Sequence, residues 1–259
     1  MPSAPVMQDT RTVAAAKVVN VELPTPEDFR PGIIDFPVSG YTHQFFLATP
    51  EAKQWYNPPK THATLEYEWV FENVKLENEA VYDIGSHHGH YALVLAAARP
   101  RKLVCVDAVQ SNCDITRVNL ALNGFTSAKV LHRAISTRDG EVEFTAESNG
   151  RVVERGVYRV PSSRLPTIAA DATVIKLDIE GEEFKVIPDQ IDQLPGVHTW
   201  IIEIHPWKTR NPHDLLPLLL ERFDVQWINR ATMRVEPYPG EAADWSSHTT
   251  LFCTRKSPI

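Results

Sequence analysis

The sequence predicts an α/β fold: a mostly parallel, doubly wound sheet with one antiparallel strand near its C-terminal end. Three observations predict it. From residue 80 onward, short apolar runs alternate with stretches of helical pattern, the signature of βαβ units. The runs are apolar without an alternating polar face, as strands covered on both sides require. The last two strands are separated only by turn-like residues, Arg230 to Ser247, a connection that suits an antiparallel pair better than a crossover.

The elements follow in order. Residues 1–60 are punctuated by Pro24, Pro26, Pro31, Pro37, Pro50, Pro58 and Pro59 and carry little periodicity, so an irregular arm is expected, with a short strand near Tyr41–Leu47. Phe29, Phe36, Tyr41, Phe45, Phe46, Trp55 and Tyr56 are too many aromatics for a free tail. The arm should therefore pack on the main domain, residues 61–259, and cover a cleft. Leu65, Trp69, Val70 and Val74 recur at helical spacing. A strand is expected at Ala80–Ile84, a helix at Tyr91–Ala98 stopped by Pro100, and a strand at Lys102–Val106. A helix at Gln110–Leu122 should end at Asn123–Gly124, and a strand should follow at Ala128–Leu131. The runs EVEFTA and GVYRV, around a polar turn at Ser148–Gly150, interrupt the alternation and read as an inserted hairpin around 140–162. The pattern resumes with a strand at Thr173–Leu177, a helix at Phe184–Leu194 and a strand at Trp200–Ile204. A helix at Leu215–Phe223 and strands at Val225–Ile228 and Thr249–Thr254 complete it.

The formal net charge of −7 argues against a nucleic-acid partner, which needs a basic face to displace counterions. Cys105, Cys113 and Cys253 form neither a disulfide framework nor a zinc set, and Cys105 reads as core. No apolar run is long enough for a signal segment or a membrane span, so the reading is a cytoplasmic protein without a membrane partner.

Four stretches carry chemistry. VYDIGSHHGHY, residues 81–91, is a strand, a turn with Gly85 and Gly89, and a helix start. At a strand's carboxyl end such glycines let the backbone approach a ligand, or they merely make a tight turn. Asp107 follows the second strand directly, where an acid can accept both hydroxyls of a ribose; the plainer account is an aspartate favoured at a helix N-terminus. Together these residues indicate an adenosine-type ligand. Asn112 and Asn119 read as polar side chains on the first turns of the following helix. VIKLDIEGEEFKVI, residues 174–187, delivers Asp178 and Glu180 to the same sheet edge. WIIEIHPW, residues 200–207, adds Glu203 and His205, two apart and so on one face. Asp178, Glu180, Glu203 and His205 are thus expected to line one pocket. His205 and Glu180 are the candidates for a general base, with Asp178 beside them. A hard metal ion held by these carboxylates is conceivable, but none is assigned.

At these stretches the sequence resembles the FkbM-type methyltransferases. Their strand with D-x-G-x-x-x-G and an aromatic is matched by Asp83, Gly85, Gly89 and Tyr91. Their acidic residue after the second strand is matched by Asp107, followed by Ala108, with Asn112 on the next polar position. K-x-D-x-E-G-x-E is matched by Lys176, Asp178, Glu180, Gly181 and Glu183, and E-x-H by Glu203 and His205. The resemblance spans about residues 65–255. Two departures stand out: Ser86, His87 and His88 replace small or amide residues, and Ala108 replaces a proline.

The resemblance implies a Rossmann-like methyltransferase fold, S-adenosylmethionine as cofactor, and methyl transfer to an oxygen of a small-molecule acceptor such as a sugar or natural product. On that footing Asp83, Gly85, His87, Gly89 and Tyr91 surround the donor. Asp107, Ala108 and Asn112 serve its ribose, Ala134 meets the adenine through its backbone, and Asp178 stands near the amino-acid end. The altered turn at His87 leaves open a scaffold that binds the donor without turnover. An NAD-dependent enzyme is the third reading, against which the missing G-x-G-x-x-G counts.

Overall fold

The computed structural model describes residues 29–38, 40–145, 149–206 and 211–256; Pro24, Pro26, Ser148 and Trp207, used above, lie outside them. The proline-punctuated arm is regular where it is described. Strand β1 (Gly32–Val38) pairs antiparallel with β2 (Tyr41–Leu47). Pro37 sits inside β1, opposite Thr42, which a two-stranded ribbon with free edges tolerates. The hairpin's apolar side buries Phe36 and Phe45, ring centroids 5.2 Å apart. Helix α1 (Pro50–Tyr56) starts where Thr49 Oγ1 accepts from Ala52 N, an N-cap preceding a proline at the first helical position. Helix α2 (Thr61–Asn73) buries Glu66, Tyr67, Trp69 and Val70.

Next come β3 (Ala80–Ile84), α3 (His90–Ala97), β4 (Lys102–Asp107), α4 (Gln110–Leu122) and β5 (Lys129–His132). Every residue of β3 is buried, and α3 is buried from Tyr91 to Ala97, as expected of a helix apolar all round. Asn119 is not a capping residue. From the third turn of α4 its amide accepts from Phe46 N at 2.6 Å and donates to the His88 carbonyl at 2.8 Å, while Asn123 holds both the N–H and C=O of Gln44. These amides clamp the hairpin to the core.

The inserted region forms a four-stranded sheet rather than a lone hairpin. Its strands are β6 (Ala134–Ile135), β7 (Gly140–Phe144), β8 (Val152–Val153) and β9 (Tyr158–Ser163), in the order β6-β9-β7-β8. A one-turn helix α5 (Leu165–Ile168) leads back to the main sheet.

The chain then runs through β10 (Val174–Leu177), α6 (Glu183–Gln190), β11 (Thr199–Ile204), α7 (Leu216–Arg222), β12 (Phe223–Asn229), β13 (Arg234–Pro237) and β14 (Thr249–Arg255). The main sheet has the order β13-β12-β14-β11-β10-β3-β4-β5. Strands β11, β10, β3, β4 and β5 are parallel, and β14 inserts antiparallel between β11 and β12. The segment after Arg230 is more than turn: β13 pairs antiparallel with β12 and extends the edge. Strand alternation sorts the core. Tyr82, Ile84, Ile175, Leu177 and Ile202 pack with α6 and α7, while Val81, Val174 and Ile201 pack with α2, α3 and the hairpin. Chain order reverses at β3, whose neighbours are β4 and β10, so the crevice at the carboxyl ends of these strands is the expected ligand position.

Candidate active site

A cavity of about 370 Å³ occupies that crevice. Its floor is the turn after β3. Gly85 N and Ser86 N donate to the Val106 carbonyl at 2.8 and 3.0 Å. Gly85 and Gly89 have φ of +79° and +82°, a region that residues with a Cβ rarely enter. A Cβ on Gly85 would overlap the carbonyl oxygen of Asp178, and one on Gly89 would press on Thr116 of α4. The fit of protein on protein alone therefore requires both glycines, and Gly85 also lines the cavity.

One end of the cavity is mostly apolar. Ala108, Val109, Ala134, Ile135, Phe144 and Val152 line it around Asp107. The inserted sheet supplies Phe144 and Val152, and Ala134 begins the strand β6. Asp107 accepts from His87 N at 2.8 Å on one oxygen, and from Val109 N at 2.8 Å and Asn112 Nδ2 at 3.1 Å on the other. A carboxylate has about four acceptor positions, so one remains: room for a single hydroxyl rather than the expected two. Burial pushes its carboxyl up to about 7 against those three donors.

The other end is crowded with ionisable groups. Lys60, His62, Glu66, Lys176, Asp178, Glu180, Glu203, His205 and His248 all reach it. Strand register explains the group: Lys176 stands beside Asp83 on β3 and Ile201 on β11, so Lys176, Asp83 and Glu203 share the sheet face that carries α2 and α3. Lys176 is buried, with Nζ 2.9 Å from Asp178 Oδ2 and 5.5 Å from the Tyr91 ring centroid. Burial would raise the Asp178 carboxyl, but Lys176 and His205 outweigh it and hold it down at about 2. His205 Nδ1 lies 3.0 Å from Glu183 Oε1, and its Nε2 lies 3.8 Å from Asp178 Oδ1 and 3.7 Å from Glu180 Oε2. Burial alone would lower the imidazole; Glu183, Asp178 and Glu203 together push it up to about 10. A free imidazole base at neutral pH is therefore not what this surrounding favours. Burial raises Glu180 to about 7, opposed by His205. Glu180 is also held at φ +53°, a left-handed conformation that costs about 1 kcal/mol or more for a residue with a Cβ. Burial and the Asp178 charge push Glu203 well up.

Of the positions expected at a cofactor, Gly85, His87, Tyr91, Asp107, Ala108, Ala134 and Asp178 line the cavity, as do the catalytic candidates Glu180 and His205. Asp83, Gly89 and Asn112 do not. Asp83 is wholly buried beneath the turn, its burial pushing the carboxyl up to about 6. Gly89 is turned against Thr116, and Asn112 holds Asp107 from α4. The inserted region's Arg151, Arg155 and Arg159 stand outside the lining; Arg159 pairs with Glu143 at 2.9 Å.

Several lining residues carried no local signal. His62 and His248 come from segments far apart in sequence, with ring centroids 6.0 Å apart; burial lowers them to about 3 and about 4. Trp55 and Tyr56, by contrast, are among the arm aromatics expected over a cleft; they roof the turn, with Tyr56 Oη 2.8 Å from His87 Nδ1. Glu66 had a signal that went unread. It is a carboxylate three and four positions before Trp69 and Val70, on the buried stripe of α2. It accepts from Thr250 Oγ1 at 2.7 Å, and burial raises it to about 7.

The family profile of the methyltransferase FkbM domain matches residues 83–225, more than half of the chain. No curated protein matches the sequence significantly. Among solved structures, the SAM-dependent methyltransferase from Agrobacterium tumefaciens is similar over 89% of this chain and 72% of its own, at 13% identity and a TM-score of 0.53. M. jannaschii TYW2 in complex with AdoMet is similar over 88% of this chain and 89% of its own, at 13% identity and a TM-score of 0.49. The ribosomal protein L11 methylase from Lactobacillus delbrueckii subsp. bulgaricus is similar over 76% and 79%, at 14% identity and a TM-score of 0.47. The Agrobacterium structure shares the Rossmann-like methyltransferase fold. With more than half of its length matched, this chain belongs to the methyltransferase FkbM domain family.

Proposed function

We propose that this protein is an S-adenosylmethionine-dependent methyltransferase that methylates an oxygen of a small polar molecule. The observation that carries the reading is the two-ended cavity, in which a buried carboxylate with one acceptor position left, set in an apolar wall, opens into a cluster of carboxylates and histidines. The residues fit the donor. Two buried polar atoms on lining residues, His87 Nε2 and Tyr91 Oη, have no hydrogen-bond partner among the described residues, and buried polar groups call for one.

The donor's sulfonium supplies an already activated methyl group, so the protein's part is mainly alignment. Asp107 accepts a ribose hydroxyl. Ala134, Ile135, Phe144 and Val152 enclose the base and exclude water. Asp178, between the two ends, meets the amino-acid portion. Glu180, raised to about 7 by burial and 3.7 Å from the charged His205, receives the proton that the acceptor hydroxyl gives up.

Calorimetric titration of the purified chain with S-adenosylmethionine and its demethylated product, with NAD as control, tests this. Micromolar binding of either sulfur compound and none of NAD is expected. NAD binding alone would overturn it, and donor binding with no acceptor methylated in a hydroxyl-compound screen would leave a binding scaffold.

A further inference from the structure

We propose that the acceptor end of the cleft is a divalent metal site, with Asp178, Glu203 and His205 as the protein ligands. One ligand atom from each lies within 4.8 Å of the other two. All three residues face the cavity, so an ion has an entry path and open positions for water or an acceptor's oxygen. Ligands around a first-row ion at roughly 2.0–2.3 Å stand about 3–4 Å from one another. The three side chains come from the ends of two paired strands, β10 and β11, and need close by only a fraction of a side-chain rotation.

The surroundings are those that orient a metal ligand. Glu183 Oε1, fully buried, lies 3.0 Å from His205 Nδ1 and also accepts from Ile179 N at 3.2 Å. This carboxylate–histidine pairing fixes the ring and turns Nε2 toward Asp178 Oδ1 and Glu180 Oε2, 3.8 and 3.7 Å away. Lys176 Nζ holds Asp178 Oδ2 at 2.9 Å, and Glu203 stands within hydrogen-bonding reach of the same carboxylate, as two ligands of one ion would. Glu203 Oε1 is 3.4 Å from His248 Nε2, which steadies the third ligand from outside the set. Glu66, Asp178, Glu180 and Glu203 bring four carboxylates to one wall, and Lys176 is committed to one of them. One imidazole and two carboxylates are a mixed nitrogen–oxygen set, which favours Mn²⁺ or its first-row neighbours over Ca²⁺. Metal binding itself does not depend on the methyltransferase reading; what the ion would do there, hold and polarise an acceptor oxygen, does.

The test uses untagged full-length protein stripped with a chelator. Mn²⁺ is titrated while the free-ion electron paramagnetic resonance signal is followed, and pulsed spectra of the bound ion are recorded. One Mn²⁺ per chain is expected, with a coupling from a directly bound imidazole nitrogen. Glu203→Gln should weaken binding at least tenfold, and His205→Gln should abolish the nitrogen coupling. No saturable binding up to millimolar Mn²⁺, or bound Mn²⁺ without nitrogen coupling in the unaltered protein, would overturn the site without reference to any variant's folding. Titration of the same samples with the demethylated donor product reports the methyltransferase reading separately, so each can fail alone.

Discussion

At one end of the cleft, Asp107 is surrounded by three N–H donors and an apolar wall; at the other, Glu66, Asp178, Glu180, Glu203, His205 and His248 crowd around a single buried lysine. The first arrangement is complete within the chain, needing only one more hydrogen bond. The second leaves like charges close together, held by shared protons or by a cation. A site built the first way binds one fixed group and can be rigid. A site built the second way changes state with whatever enters it. On the proposed function, the first end recognises an invariant donor and the second carries the chemistry.

The sharpest way to break this division is to remove the joint between the ends. Gly85→Ala drives a Cβ into the Asp178 carbonyl at a positive φ, and a loss on the order of 4 kcal/mol or more is expected. Thermal unfolding should fall by about 10 °C or more; a shift of only a degree or two would mean that the turn and the strand end can part. Next in size, Glu180→Gln should lower methyl transfer by about a hundredfold or more while donor affinity stays within about twofold. Equal losses in both would show that the ends do not divide the labour. Asp107→Asn should weaken donor binding by about tenfold to a hundredfold, read by calorimetry, with Mn²⁺ binding intact.

The acidity of Asp107 sharpens the same contrast. Its carboxyl is raised to about 7, and a ribose hydroxyl donates to the ionised form. Below that pH, binding must therefore expel a proton. Donor affinity should fall by up to about tenfold per unit as the pH drops below 7 and level off above 8; Asp107→Asn should flatten the profile. A profile that rises toward acid would contradict the assignment. Smallest of all, Val152→Ala trims the apolar wall and should weaken the donor by about two- to fivefold, with Glu180-dependent turnover otherwise unaltered.

Much of this architecture was legible in the sequence, and the limits have physical causes. The bounds of β3 and α4 are those read from apolar pattern, because both elements are buried along their length or one face and punctuated by turn residues. Strand β2 has the bounds expected, Tyr41–Leu47, but β1 was obscured by Pro37 and Pro31, since proline signals apply to ladders with two neighbours and this ribbon has one per strand. Strands β6 and β8 are two residues each, too short for any periodicity, and β13 is a half-exposed edge with no apolar face. At the site, the residues on strand ends were found because a βα unit places them by rule. Lys60, His62 and His248 were not, because only the folded chain brings α2 and the segment before β14 to that edge. The glycines lie at the turn where they were expected, and the close neighbours Asp178 and Thr116, which no local pattern announces, add a packing reason for them.

The clamp between the hairpin and α4 has a consequence for how the cleft comes into being. Gln44 and Phe46 are held by Asn123 and Asn119, 79 and 73 residues further along. Contacts of such separation carry a larger loop-closure cost than local ones. Tyr56, which follows the hairpin, touches His87. The segment that roofs the glycine turn is synthesised before the core it covers, so the roof of the cleft is completed only by contacts between parts of the chain more than seventy residues apart.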